Sequence, residues 1–556
     1  MIKICFVILS LAVSNLAVAT VRVQQIHNPK IDTLQILNVE NTPKTIPNTI
    51  NDMATHSQVL RSFPLYVDED IGASSEIYEE ILFDDQYLPT LYKNYIDQTN
   101  SVDPKLQRES EVRTLVLQGP TKNRINLTIL GDGYTTNEKQ KFFDDAQRIA
   151  DDLFKAKTFS SYLPLFNVFA VFLPSQDSGI TDLIAKNTAF GLYRSPKGSK
   201  RAIMPGNSGT IEKAIKLAPA TDFPIIIAND DYYGGLGGRF AITTRSIRSG
   251  TMVLRHELGH NFGEVGEEYD GGQIYTGANH SDTAAVPWKH WVDGEIAVSQ
   301  ASYLSGAYVW QNLNNQNVRV EFDFPSKNTL GDQQFNAIIS SVGWQTPQDV
   351  DVYLDNQKVS IKGAYTDDRS FFEIDHLDKT LVPGKHVLEF KENIHDGNNI
   401  LAFAMLYAMP ANYDFTKDKI GAFNTFYSPD SPSGFRPSHN TCLMREMRSV
   451  EFCSVDKENM WIRFLNRVSL IDELGINSNG NEKLVYLKTP DLSGLQLRWY
   501  QLKANQEPIA LHDLDGLKQW STHNMSAGKY RVEVEFKTPE VRNYTNSFRV
   551  TRDISF

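Results

Sequence analysis

The sequence predicts an α+β fold: a mixed sheet with an active-site helix, an all-β domain inserted into it, and a C-terminal β-sandwich. Three observations carry this. Between about 112 and 299, strand-like apolar runs alternate with segments of helical periodicity. From about 300 to 410, and again beyond about 484, apolar and polar residues alternate with a period of two, and no helical pattern intervenes. One segment, His256-Glu257-Leu258-Gly259-His260, places two imidazoles four residues apart and therefore on one face of a helix.

At 556 residues the chain is long enough for two to four domains. Lys3, the apolar run Ile4 to Leu16 and the small residues of Ala17-Val18-Ala19 predict a signal peptide over 1–19, cut before Thr20. The mature protein is then expected to be secreted or otherwise extracytoplasmic, with no transmembrane segment after signal removal. Residues 20–111, polar from Asn38 to Asn51 and acidic around Asp68-Glu69-Asp70 and Glu79-Glu80, fit an N-terminal accessory region or a pro-segment. The net charge of −12 argues against a nucleic-acid partner and leaves oligomeric state open.

The catalytic domain is expected in two parts, 112–299 and 411–480, separated by the inserted β-sandwich at 300–410. Asn126 to Leu130 reads as a strand ending in the turn Gly131-Asp132-Gly133. Thr135 and Glu138 form a capping box for a helix whose apolar face is Phe142, Phe143, Ala146, Ile149, Ala150, Leu153 and Phe154. Phe166 to Leu173 and Pro224 to Ala228 are two further strands, and a helix begins near Ser249-Gly250. The glycines of Tyr232 to Gly238 allow backbone to pass close to a neighbour, and Arg239 to Thr244 is expected to be an edge strand that holds an extended peptide. Val318, Val320, Phe322 and Phe324 alternate with charged residues in the insertion. Leu495, Leu497 and Trp499, then Tyr530, Val532, Val534 and Phe536, do so in the C-terminal β-sandwich, 481–556.

A catalytic zinc ion takes three protein ligands and keeps one position for water. His256 and His260 supply two, and Glu257 stands where it can take a proton from that water. Gly263 offers a left-handed turn that swings the chain back towards the ion, and two carboxylates follow. Reach after the turn favours Glu268 as third ligand over Glu267, and the other would orient an imidazole. Tyr269 is either a hydrogen-bond donor to the reacting carbonyl or a packing residue. Protonation of the imidazoles is expected to disarm the site below about pH 5 to 6. Cys5 leaves with the signal, so Cys442 and Cys453 are either one disulfide, the reading preferred in an exported protein, or two buried thiols. Asn126, Asn279, Asn524 and Asn543 fit the glycosylation pattern.

These segments resemble the immunoglobulin-A metallopeptidase family, secreted zinc endopeptidases related to the metzincins. The resemblance rests on Ile129-Leu-Gly-Asp-Gly-Tyr134, Phe166-Asn-Val-Phe-Ala-Val and Pro174-Ser-Gln-Asp-Ser-Gly. It extends to Asn229-Asp-Asp-Tyr-Tyr-Gly-Gly and to His256 through Tyr269. It implies a metzincin-like zinc-peptidase domain, one zinc ion, Glu257 as general acid/base and a protein or peptide substrate. It also implies that Asn440-Thr-Cys-Leu-Met444-Arg is a methionine turn beneath the metal. Where metzincins carry a third histidine, this chain has Gly266, which agrees with a carboxylate ligand. About 180 residues separate His260 from Met444, so the β insertion must loop out without moving the turn.

The function expected is secreted zinc-dependent endopeptidase. Two alternatives stand beside it: a surface-binding or adhesive β-sandwich protein on an inactive peptidase scaffold, and a hydrolase of a non-peptide amide such as a cell-wall cross-link.

Overall fold

The computed structural model describes residues 20–28, 33–41, 57–64, 77–84, 88–89 and 93 of the N-terminal region. From 104 onward it describes all residues except 195–199, 272–274, 299–301, 308–309, 315–316, 325–332, 375–380, 411–418, 429–430, 440, 480–481 and 524. The signal segment, Asn440 and Asn524 lie outside the described residues. The chain divides into two compact units, Met1–Ser101 and Val102–Phe556. The first is a four-stranded antiparallel sheet of β1 (Thr20–Asn28), β2 (Thr33–Asn41), β3 (Ser57–Pro64) and β4 (Ile77–Asp84), in the order β2-β1-β4-β3.

The second unit is mixed α+β. Its central sheet contains β5 (Glu111–Leu117), β6 (Ile125–Asp132), β7 (Phe166–Phe172), β10 (Phe223–Ala228), β11 (Gly235–Leu236) and β12 (Ala241–Thr244). A small hairpin, β8 (Tyr193–Arg194) and β9 (Ile203–Met204), stands apart. The order is β11-β12-β10-β6-β7-β5, with the inner four strands parallel and both outer strands antiparallel to their neighbours. Every residue of β6 and β7 is buried, as a strand covered on both faces requires. On one face Leu127 and Ile129 pack with α1 (Lys139–Lys155), α3 (Ser249–Gly263) and α4 (Ser454–Arg467). On the other Leu130, Val171 and Ile226 pack with α2 (Ser208–Ile215). The sequence pattern missed α2 because eight residues are too few to display a helical period; Asn207 caps it by accepting from the Thr210 backbone N–H at 3.0 Å.

The capping box is present. Glu138 accepts from the Thr135 backbone N–H at 3.0 Å and leads into α1 through a short 3-10 turn. Burial alone would raise the Glu138 carboxyl, but donors from Thr135, Lys141, Ser178 and Asn229 outweigh it and bring the group down to about 2. A depressed carboxyl contributes stability above its unfolded value near 4.5, and that contribution is lost as pH falls towards 2. Glu138→Gln is therefore expected to cost on the order of 2 kcal/mol at neutral pH and to flatten the acid limb of the stability curve. Urea denaturation at pH 7 and pH 3 checks this; an unchanged limb would refute it.

One expectation about the sheet is corrected. The strand near Arg239 to Thr244 is not the edge, because β11, within the glycine stretch, pairs with it through Gly235↔Thr243 and Leu236↔Ile242. The paired strands of the glycine-rich segment itself form the sheet border.

Between Ser302 and Pro410 the chain builds two antiparallel sheets that enclose a core of their own, including Val320, Phe322, Ile339, Trp344, Phe372 and Leu388. Its hairpin Val350–Leu354 to Gln357–Val359 turns at Asp355 and Asn356, both with positive φ (50° and 66°), as a two-residue turn of matching twist demands. The C-terminal strands form two more antiparallel sheets. Their inward residues Trp499, Tyr530 and Phe536 join the core that contains α4, where Trp461 lies 4.9 Å from Phe536. Asn126 and Asn279 are buried, and only Asn543 of the described glycosylation-pattern asparagines is exposed.

Candidate metal centre

Helix α3 starts where Ser246 and Asp368 collect its free N–H groups. The Ser249 backbone N–H donates to Ser246 Oγ at 3.1 Å and to Asp368 Oδ2 at 3.2 Å. A carboxylate at a helix N-terminus is favoured by the helix dipole, and this one comes from the inserted β segment. No local sequence signal could have paired residues that far apart. Leu254, Leu258 and Phe262 anchor the inner face in the core. The helix runs through Gly263, and the left-handed reversal falls on Glu264 (φ 48°), which also pairs with Arg463.

His256 and His260 project from adjacent turns with ring centroids 4.9 Å apart. His256 Nδ1 lies 3.2 Å from the Leu443 carbonyl and His260 Nδ1 2.7 Å from the Val265 carbonyl. Donating to these carbonyls fixes both Nδ1–H tautomers and aims both Nε2 lone pairs at one point. The carboxylate that meets them is Glu267. Its Oε2 is 3.1 Å from His256 Nε2 and its Oε1 is 3.1 Å from His260 Nε2. Three lone-pair donors so close repel one another unless a positive charge lies between them. Burial disfavours a charged His256, but the Glu267 carboxylate outweighs it and lifts the imidazole to about 9. Below that pH a proton competes for the site, so loading with a cation weakens as pH falls.

Glu268, the first choice from the sequence, faces the opposite way. Its oxygens accept from Asn279 Nδ2 and Ser438 Oγ, each at 3.2 Å, and its backbone N–H donates to the Met444 carbonyl at 3.1 Å. Tyr269 hydrogen-bonds Glu267, which together with burial raises its hydroxyl well above the usual tyrosine range.

The Glu257 carboxyl is raised by burial and by Glu267 and lowered in part by the two histidines and Arg201. The glycine-rich segment passes directly over it: a Cβ at Gly237 would stand 2.2 Å from Glu257 Oε2. Gly237→Ala is expected to displace that carboxylate and lower kcat at least tenfold while leaving the thermal midpoint within a few degrees. Peptide kinetics beside a melting curve test this, and an unchanged kcat would contradict it.

Met444 is fully buried against the underside of α3, where a Cβ at Gly259 would meet its sulfur at 2.7 Å. The residue named from the resemblance thus lies beneath the histidine-bearing turn. The disulfide expectation is corrected: Cys442 and Cys453 are free buried thiols. Cys442 Sγ is occupied instead by the Cys453 backbone N–H at 3.3 Å and by Asp456 Oδ2 at 3.0 Å.

Residues 114–334 match the family described as IgA peptidase M64. That stretch is similar to M64 peptidases. It contains α3, Glu257 and Glu267 and stops short of Met444. The M64 family is one of metallopeptidases, so a metal ion and a protein or peptide substrate follow at that level, and His256, His260 and Glu267 form a group able to hold the ion. No curated protein matches the chain. Among solved structures, a β-glucuronidase from Ruminococcus gnavus in complex with uronic deoxynojirimycin is 10% identical over 43% of this chain and 36% of its own, with a TM-score of 0.12. The same enzyme in complex with an N1-substituted uronic isofagomine is 10% identical over 48% and 42%, also at 0.12. The chain thus spans well under two thirds of either neighbour, and likeness at this level carries no argument. Among the described residues no helix is long and apolar enough to cross a membrane, which says nothing of a β-barrel.

Proposed function

We propose that the protein is an exported zinc endopeptidase, with His256, His260 and Glu267 as metal ligands and Glu257 as general base and acid. The observation that carries this is the convergence of both Nε2 atoms and the Glu267 carboxylate at 3.1 Å. The donor set fits: two imidazoles whose Nδ1 atoms are tied to carbonyls, leaving Nε2 for the ion, and one buried carboxylate within 3.1 Å of both. When bound, zinc acidifies water and polarises the scissile carbonyl.

The chain's own residues do the rest. Glu257 accepts the proton of the attacking water on its carboxylate and returns it to the leaving amine nitrogen. Its raised affinity for protons, a result of burial, suits a group that must hold one between the two steps. Tyr269, buried beside Glu267, helps hold that carboxylate in place. The glycine segment passes over Glu257, and an extended substrate would run beside it.

The test is cleavage of a denatured protein before and after chelation. Chelator should abolish cleavage, and stoichiometric zinc should restore it. Full activity in metal-stripped protein would overturn the reading, and cleavage of peptidoglycan cross-links in place of protein would move the substrate to a non-peptide amide.

A further inference from the structure

A second group of ligating side chains lies behind the first. Glu268, Cys442, Cys453 and Asp456 each bring one ligand atom within 4.8 Å of the others, and all four are buried. They come from three separate segments: the chain after α3, the turn at Met444, and the first turn of α4. Both oxygens of Glu268 accept a hydrogen bond, from Asn279 Nδ2 and Ser438 Oγ. The Cys453 backbone N–H donates to Cys442 Sγ at 3.3 Å, and Asp456 Oδ2 lies 3.0 Å from the same sulfur.

Two carboxyls and two thiols in one dry space need protons or a cation between them. The buried Arg436 favours a charged Glu268, but it is shared with Asp270, 3.5 Å from its guanidinium. Two sulfur and two oxygen ligands match the count of a closed tetrahedral site, and thiolates select zinc over magnesium or calcium.

We propose that Glu268, Cys442, Cys453 and Asp456 bind a second, structural zinc ion. It ties the chain after α3 and the Met444 turn to α4. The proposal does not rest on the peptidase reading, because the two ligand sets share no residue.

The test uses the full chain carrying His256→Ala and His260→Ala together, which leaves the second cluster intact. After dialysis against a weak chelator, elemental analysis should find about one zinc per chain, with sulfur neighbours at about 2.3 Å by X-ray absorption. Adding Cys442→Ser should lower the retained zinc tenfold or more. If that triple variant does not fold, the absorption spectrum of the double variant decides alone. Should the double variant itself fail to fold, wild type must show about two zinc ions with sulfur among their neighbours. A folded double variant with less than about a tenth of a zinc per chain, or zinc with only nitrogen and oxygen neighbours, overturns the proposal and leaves a proton-sharing cluster. Failure of the catalytic reading would look different: the histidine replacements would then remove no metal from wild type.

Discussion

Glu257→Gln is expected to lower kcat for peptide hydrolysis by about a thousandfold or more while metal content stays at the wild-type level. Glutamine has the shape of glutamate, so it fits the space beneath Gly237, where no larger residue at that position would leave room. It is not placed to lose a ligand, since the atoms that converge belong to His256, His260 and Glu267. What it loses is the capacity to take and return a proton. A small loss in KM with a large loss in kcat would be the signature of a group acting mainly in the transition state. A variant that cleaves denatured protein at the wild-type rate would remove Glu257 from the chemistry. A variant that has lost its metal would instead make Glu257 part of the binding set.

Much of this architecture can be read from the residues, because the signals are local. The period of two in Val318 to Phe324 becomes alternating burial along that strand. The apolar face of Phe142 to Phe154 becomes the buried face of α1, and Thr135 with Glu138 caps it. What escaped depends on distant parts of the chain. Asp368 caps α3 from the inserted segment, and Gly237 is small because Glu257, twenty residues later, lies against it. The pairing of Gly235-Leu236 with β12 is likewise invisible to a periodicity argument, since a two-residue strand has no period.

The glutamate facing the histidines shows the same limit at finer scale. Reach favours Glu268 if the chain reverses at Gly263. The reversal comes one residue later, at Glu264, because α3 continues through Gly263 and packs there beside Val265 and Asn459. Non-glycine residues in the left-handed region cost about 1 kcal/mol or more, so sequence reasoning assigns such a turn to the glycine. Here the Glu264 side chain gains an ion pair with Arg463, and its backbone N–H still bonds the His260 carbonyl at 2.8 Å. The one-residue delay changes which of two adjacent carboxylates points at the imidazoles.

That difference yields the sharpest comparison, Glu267→Gln against Glu268→Gln. The first removes a carboxylate 3.1 Å from both Nε2 atoms and should weaken catalytic metal binding by at least about a hundredfold, beyond the loss typical of an outer partner. It also removes the charge that lifts His256 to about 9, so the proton competition expected in wild type should move to lower pH. The second removes a carboxylate whose oxygens face Asn279 and Ser438, so it should shift the catalytic ion's affinity less than about tenfold. Titrating zinc into stripped protein and reading the return of peptidase activity separates the catalytic ion from any other bound metal. If Glu268→Gln raises the half-saturating zinc concentration more than Glu267→Gln does, the ligand assignment must be reversed. The backbone bond from Glu268 to the Met444 carbonyl survives either change, so a shared collapse of the turn would not account for a difference between them.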